Sequence, residues 1–204
     1  MKLYYSPGAC SLSPHIALSE AGLPFELVKV DLKAKKLENG DDYTQINPKG
    51  SVPALGLDDG TVLTEGPAIV QMIADKVGGG KLAPENGTPE RYRLQEWLNF
   101  ISTDLHKSFG PLFSPVLGDE AKQFFRDRIA KYLAYADKQL AGKDYLMGSS
   151  FTVADGYLFV ILSWADRMKI DTSAFPNLTA YKARVGARPQ VQAALQSEGL
   201  AQKA

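Results

Sequence analysis

The chain has 204 residues, 45% of them apolar, and its 23 basic and 23 acidic side chains cancel. That length fills one large core or two small ones, and zero net charge offers no general basic field for nucleic acid. A single cysteine excludes an internal disulfide framework, the N-terminal stretch has no long apolar run so that no secretory leader is expected, and the longest nearly apolar run (153–165) is too short for a bilayer and carries Asp155; a cytoplasmic protein is expected, with no membrane partner.

In chain order, KLYYS (2–6) predicts a strand, SPHIALSEAG (13–22) a helix stopped by Gly22, and FELVKVDL (25–32) a second strand. Strand, helix and strand on short connections make a right-handed βαβ unit with parallel strands. VPALGL (52–57) and TVLTE (61–65) flank Asp59-Gly60, a hairpin signal, and Pro67 suits the first turn of the helix PAIVQMIADKV. The order βαβ then ββα implies a mixed sheet with helices packed on it.

Glycines and prolines concentrate at 78–90, which reads as a linker. Beyond it only helices are predicted, at about 90–109, 120–141, 153–169, 177–187 and 189–198. Thr152 and Asp155 have capping-box spacing at the start of the third, which is apolar almost all round and belongs at the centre of a helical half. The expected partition is a domain at 1–80, a linker at 81–89 and a helical domain at 90–204.

The lone Cys10 lies between the first strand and the first helix. Orphan N–H groups and the positive end of the helix dipole there favour a thiolate. A parallel strand's carboxyl end is also where α/β folds place ligands. The alternative is a small buried hydrophobe. No resolving thiol exists, since CSLS puts Ser13 where a dithiol protein has its second cysteine. Any sulfur partner must come from outside, and glutathione is the abundant one.

A γ-glutamyl peptide brings an ammonium, two carboxylates and a pairable main chain. With a cis Val52–Pro53 bond, Val52 would offer its N–H and C=O like an added strand; a trans strand-entry proline is the alternative. Glu65 suits the ammonium, and the helix start at Gly66 suits a carboxylate. In the helical half Leu94, Leu98, Ile101, Leu105 and Phe109 form an apolar stripe. Asn99, Thr103, His106 and Lys107 form a polar one at i, i+4, i+7 and i+8. Asn, Thr and His are poor helix formers for a merely solvated face. His15 reads as an ordinary surface or packing histidine.

Together SPGACSLSPHIAL, NPKGSVPALGLDDG, LTEGPAI and WLNFISTDLHKSF resemble the bacterial beta class of cytosolic glutathione S-transferases, over essentially the whole chain. The resemblance implies an α/β thioredoxin-like N-terminal domain followed by an all-α domain, in a two-fold homodimer. It implies glutathione as co-substrate, no metal, and a small hydrophobic electrophile. Carried over by residue, Cys10 and His106 lie by the glutathione sulfur as catalytic groups. Lys35 meets the glycyl carboxylate, Val52 the cysteinyl main chain, and Glu65 with Gly66 the γ-glutamyl end. Asn99, Thr103 and Asp104 complete the site. Gly66 departs from the serine many members have, keeping the N–H without the hydroxyl. Thr103, where the family also has serine, keeps the hydroxyl and adds a methyl.

The expected function is glutathione transfer, with thiol exchange or reductive dehalogenation open to Cys10. Phe109, Leu112, Phe113, Val116, Trp164 and Met168 are candidates for an apolar pocket, most of them destined for the core. Two other functions remain open, a non-catalytic glutathione- or ligand-binding dimer and a single-cysteine thiol oxidoreductase.

Overall fold

The computed structural model describes residues 1–201. It divides into two compact units, one comprising Met1–Glu85 with the segment from Arg188 onward, the other Asn86–Ala187. Residues 202–204, at the end of the expected helical half, lie outside the described residues.

The first unit is built on a five-stranded mixed sheet in the order β3-β2-β1-β4-β5. Its strands are β1 (Lys2–Tyr5), β2 (Glu26–Asp31), β3 (Lys36–Leu37), β4 (Ala54–Gly56) and β5 (Val62–Thr64). β1 runs parallel to β2 with Leu3 opposite Leu27, and antiparallel to β4 with Leu3 opposite Leu55. The hairpin at Asp59-Gly60 joins β4 to β5 as expected. The two-residue β3 is an addition. The Asp31 carboxylate accepts the N–H groups of Lys33 and Ala34, turning the chain back so that Lys36 pairs with Asp31.

Helix α1 (Leu12–Ala21) ends at Gly22, whose φ of +67° is the left-handed cap that glycine adopts without strain. Helix α2 (Gly66–Val77) carries Pro67 in its first turn and buries Ile69, Val70, Ile73 and Ala74. Val30, Tyr43, Val52 and Ala54 form a cluster with Tyr4, Ala9 and Ile46 packed against it.

Helix α8 (Pro189–Ser197) packs on α1 within this unit rather than with the other helices. The Arg188 guanidinium donates from Nε and Nη2 to the two Glu20 oxygens at 2.7 and 2.9 Å, a bidentate pair. Periodicity identifies α8 as a helix but carries no record of this partner on α1.

The second unit contains α3 (Pro89–Asn99), a π-helical segment (Phe100–His106), α4 (Lys107–Phe109), α5 (Asp119–Leu140), α6 (Val153–Arg167) and α7 (Pro176–Gly186). The continuous helix expected over 90–109 is thus interrupted by a π segment. α6 is its buried centre, with twelve of its residues out of solvent. Asp155 accepts the Leu146 and Thr152 N–H groups and the hydroxyls of Thr152 and Tyr181, between 2.7 and 3.0 Å. Burial pushes its carboxyl above the usual range while these four donors pull the other way. Among the described residues no helix is long and apolar enough to cross a membrane.

Candidate functional site

In the first unit the loop from β1 to α1 holds Cys10. Ala9 N–H donates to the Ser6 carbonyl at 3.0 Å, and the Ser11 hydroxyl accepts the Ser6 N–H at 3.1 Å. Gly8 N–H donates to Glu198 Oε2 at 3.0 Å, and Glu198 Oε1 lies 2.8 Å from His15 Nδ1. Of the two readings of His15, surface or packing, the structure bears out packing. The side chain is buried with Glu198, flanked by the rings of Tyr5 and Phe25. The Glu198 carboxyl, shared between the buried ring and the buried Gly8 N–H, accounts for its place.

Cys10 Sγ donates to the Val52 carbonyl at 3.2 Å. Two residues that sequence reasoning treated separately, the thiol and the main chain for an added peptide, are thus joined. The Val52–Pro53 bond is cis. The preceding turn is fixed by the Ser51 carbonyl, which accepts the Tyr43 hydroxyl at 2.8 Å and the Asn47 amide at 2.7 Å. Tyr43 and Asn47 are fully buried and were not among the expected site residues.

Lys35, at φ +57°, donates from Nζ to the Gly50 carbonyl at 2.8 Å. An ammonium has three protons, so this bond leaves two for a carboxylate. Gly50 itself sits at φ +59° with the Lys35 methylenes 3.3 Å from where a Cβ would stand, which reserves the position for glycine.

Glu65 caps α2 at φ +71°, and its Oε1 pairs with Lys49 Nζ. Lys49 was missed; its only trace in the sequence is a lysine in NPKG, distant from Glu65. A Cβ on Gly66 would meet only Pro53 Cγ, at 3.9 Å, so a serine fits there.

In the second unit Leu94, Leu98, Ile101, Leu105 and Phe109 are all buried, as their stripe predicts. The polar set is rearranged by the π segment, whose hydrogen bonds skip one residue more than an α-helix allows. Asn99, Thr103 and Lys107 are exposed, while His106 is half-buried. The hydroxyls of Ser102 and Thr103 both donate to the Asn99 carbonyl, at 3.1 and 2.9 Å. Asp104 accepts the Tyr132 hydroxyl at 3.2 Å, with Arg128 Nη2 at 3.9 Å, so it is anchored on α5.

His106 Nδ1 lies 2.6 Å from the Tyr157 hydroxyl, and its ring stands edge-on to Trp164 with centroids 4.9 Å apart. Burial, with a smaller contribution from the charge of Lys107, pulls its pKa down to about 4. The ring is neutral at physiological pH. Of the apolar candidates, Phe109, Leu112 and Trp164 are core, whereas Phe113 and Val116 are exposed, with Phe113 edge-on to Trp164. Among the described residues no three His, Cys, Asp or Glu side chains are grouped to hold a metal.

The chain matches the glutathione S-transferase N-terminal domain over residues 8–76 and the C-terminal domain over 103–198. It is 50% identical over 200 residues to the glutathione S-transferase GstA of Escherichia coli O157:H7, covering 98% of this chain and all of that one. Its structure resembles that of BphK, a bacterial transferase solved as a ternary complex, with TM-score 0.96 and 59% identity over 98% of this chain and 100% of the other. A beta-class transferase of Sphingomonas chungbukensis gives 0.95 and 53%. A sphingomonad transferase solved with glutathione gives 0.94 and 51%. Both comparisons again cover 98% of this chain and 100% of the other.

Proposed function

The chain belongs to the glutathione S-transferase family, in its bacterial beta class, and on that footing we propose how its residues divide the work. It is a glutathione transferase, and glutathione is its co-substrate. The Val52 main chain pairs with the cysteinyl residue of glutathione, Lys35 with the glycyl carboxylate, and Glu65 and the Gly66 N–H with the γ-glutamyl end. Cys10 stands beside the bound sulfur. His106 acts on that sulfur, with Asn99, Thr103 and Asp104 lending polar support. The electrophile is small and hydrophobic, the active form a cytoplasmic homodimer.

The observation that carries this reading is the Cys10–Val52 hydrogen bond, which puts the thiol on the carbonyl that an added peptide strand would use. The decisive experiment measures glutathione affinity and conjugation to an aryl halide, in the wild type and in Cys10→Ala. The wild type should bind and conjugate, and Cys10→Ala should keep part of the conjugation, because glutathione brings its own thiol. Binding without turnover across aryl and alkyl halides would leave a binding dimer instead.

Thiol exchange is a second reading, favoured by Cys10 being the sole thiol of the chain. The Cys10 thiolate attacks one sulfur of a disulfide and expels the other as thiolate. A glutathione thiolate then attacks the mixed disulfide and releases Cys10.

A further inference from the structure

We propose that Tyr157 is a positioning residue for the reaction: its hydroxyl donates to His106 Nδ1 and so keeps the ring proton on Nε2, making His106 a hydrogen-bond donor to the glutathione thiolate rather than a base. The inference rests on the proposed role of His106 at the sulfur. Its basis lies inside the second unit. Tyr157 is buried in α6, the most buried helix of that unit, with its hydroxyl 2.6 Å from Nδ1. Trp164, two helical turns further along α6, stands edge-on to the same ring, so α6 grips His106 from two points.

A neutral imidazole has one N–H and one acceptor nitrogen, and the partner of either nitrogen sets the tautomer. A phenol is the more acidic of the two groups, so the short contact runs from O–H to Nδ1. The alternative role, general base, fits poorly. A ring with a pKa of about 4 facing a thiol of about 8.5 would stand at a disadvantage of more than about ten-thousand-fold in proton transfer. As a neutral donor the ring needs no proton transfer at all. Nε2–H stabilises the thiolate once the thiol proton has left to solvent, in the manner of a preorganised dipole.

The first test is spectroscopic and needs no ligand. Long-range nitrogen–proton correlation spectra of imidazole-labelled protein report the tautomer of each ring, and only His15 and His106 contribute. The His106→Gln spectrum assigns the pair. The expected result is an Nε2–H tautomer for His106 that becomes a mixture in Tyr157→Phe. A stable Nδ1–H tautomer in the wild type overturns the assignment.

The second test is kinetic, with glutathione varied at saturating aryl halide. Tyr157→Phe should lower kcat about tenfold with KM for glutathione within about twofold, and the loss should vanish in a His106→Ala background. His106→Gln, whose side-chain amide donates from a similar place, should recover most of what His106→Ala loses. A glutamine variant as impaired as alanine, or a tyrosine effect of equal size without His106, overturns the proposal. Failure of the wild type to bind glutathione would strike the functional reading itself, which the tautomer measurement distinguishes.

Discussion

Glu198 Oε2 accepts the backbone N–H of Gly8, across 190 residues of chain, at 3.0 Å. The other oxygen meets His15 on α1. A carboxylate from the C-terminal segment thus fixes both the loop that presents Cys10 and the helix behind it. Its side chain is wholly buried, so its partners are the only compensation for its desolvation.

Removing that carboxylate strands a buried histidine and a buried N–H. Glu198→Ala should lower unfolding stability by about 3 kcal/mol or more, and Glu198→Gln, which keeps an acceptor for Gly8, by clearly less. Denaturant unfolding of both variants decides this. Equal, small losses would mean the loop holds its shape without Glu198.

Gly66 has room for a side chain, and the serine common in the family would add a hydroxyl where the proposed site holds the γ-glutamyl end. Gly66→Ser should lower KM for glutathione severalfold, the worth of one hydrogen bond of about 1 kcal/mol, with little change in kcat. Initial-rate kinetics at varied glutathione check it. An unchanged or raised KM would place the γ-glutamyl group elsewhere.

The depressed pKa of His106 makes stability depend on acid in a defined window. The unfolded ring takes a proton at about 6.5 and the folded ring only at about 4, so the unfolded state binds more protons between these values. Stability therefore falls as pH drops from about 6.5 toward about 4. Between pH 7 and pH 5 the contribution is about 2 kcal/mol. The measurement is unfolding at both pH values in the wild type and His106→Gln; the wild type should lose about that much more. Parallel losses would show a solvated ring.

Cys10 is the only thiol, so oxidised glutathione should add one glutathione per chain and no internal disulfide. Intact-mass spectrometry of the wild type and Cys10→Ala tests this. A folded, unreactive Cys10 would remove every role in which its sulfur is a nucleophile.

The sequence revealed most of the first unit because its signals are local: the apolar runs of β1 and β2, Gly22 ending α1, Asp59-Gly60 turning the hairpin; that Leu3 pairs with Leu27 and Leu55 is long-range and was not legible. The two-residue β3 has no period to detect. The Thr152–Asp155 capping box was visible from its spacing, but the bonds of Asp155 to Leu146 and Tyr181 were not. At the site, Cys10, Val52 and Glu65 stood out by type and position. Lys49, Tyr43 and Asn47 did not, because each acts through a partner that only the fold brings near. The stripe from Asn99 to Lys107 was drawn with α-helical spacing, and nothing in FISTDLH besides its adjacent Ser102 and Thr103 hints at the π segment. His15 was read as a surface or packing histidine and is the packing kind; its partner Glu198, shared with Gly8, was not legible because it lies near the other end of the chain.

The return of α8 to the first unit has a consequence for synthesis. Gly8 is among the earliest residues to leave the ribosome, and Glu198 follows only after the whole second unit. The helical unit, continuous from Asn86 to Ala187, has all its residues in hand first, so the usual N-to-C order of domain completion is reversed. Until translation passes Glu198, the loop around Cys10 lacks its distant acceptor, and a nascent chain stalled before Arg188 should expose that thiol to alkylation more readily than the finished protein does.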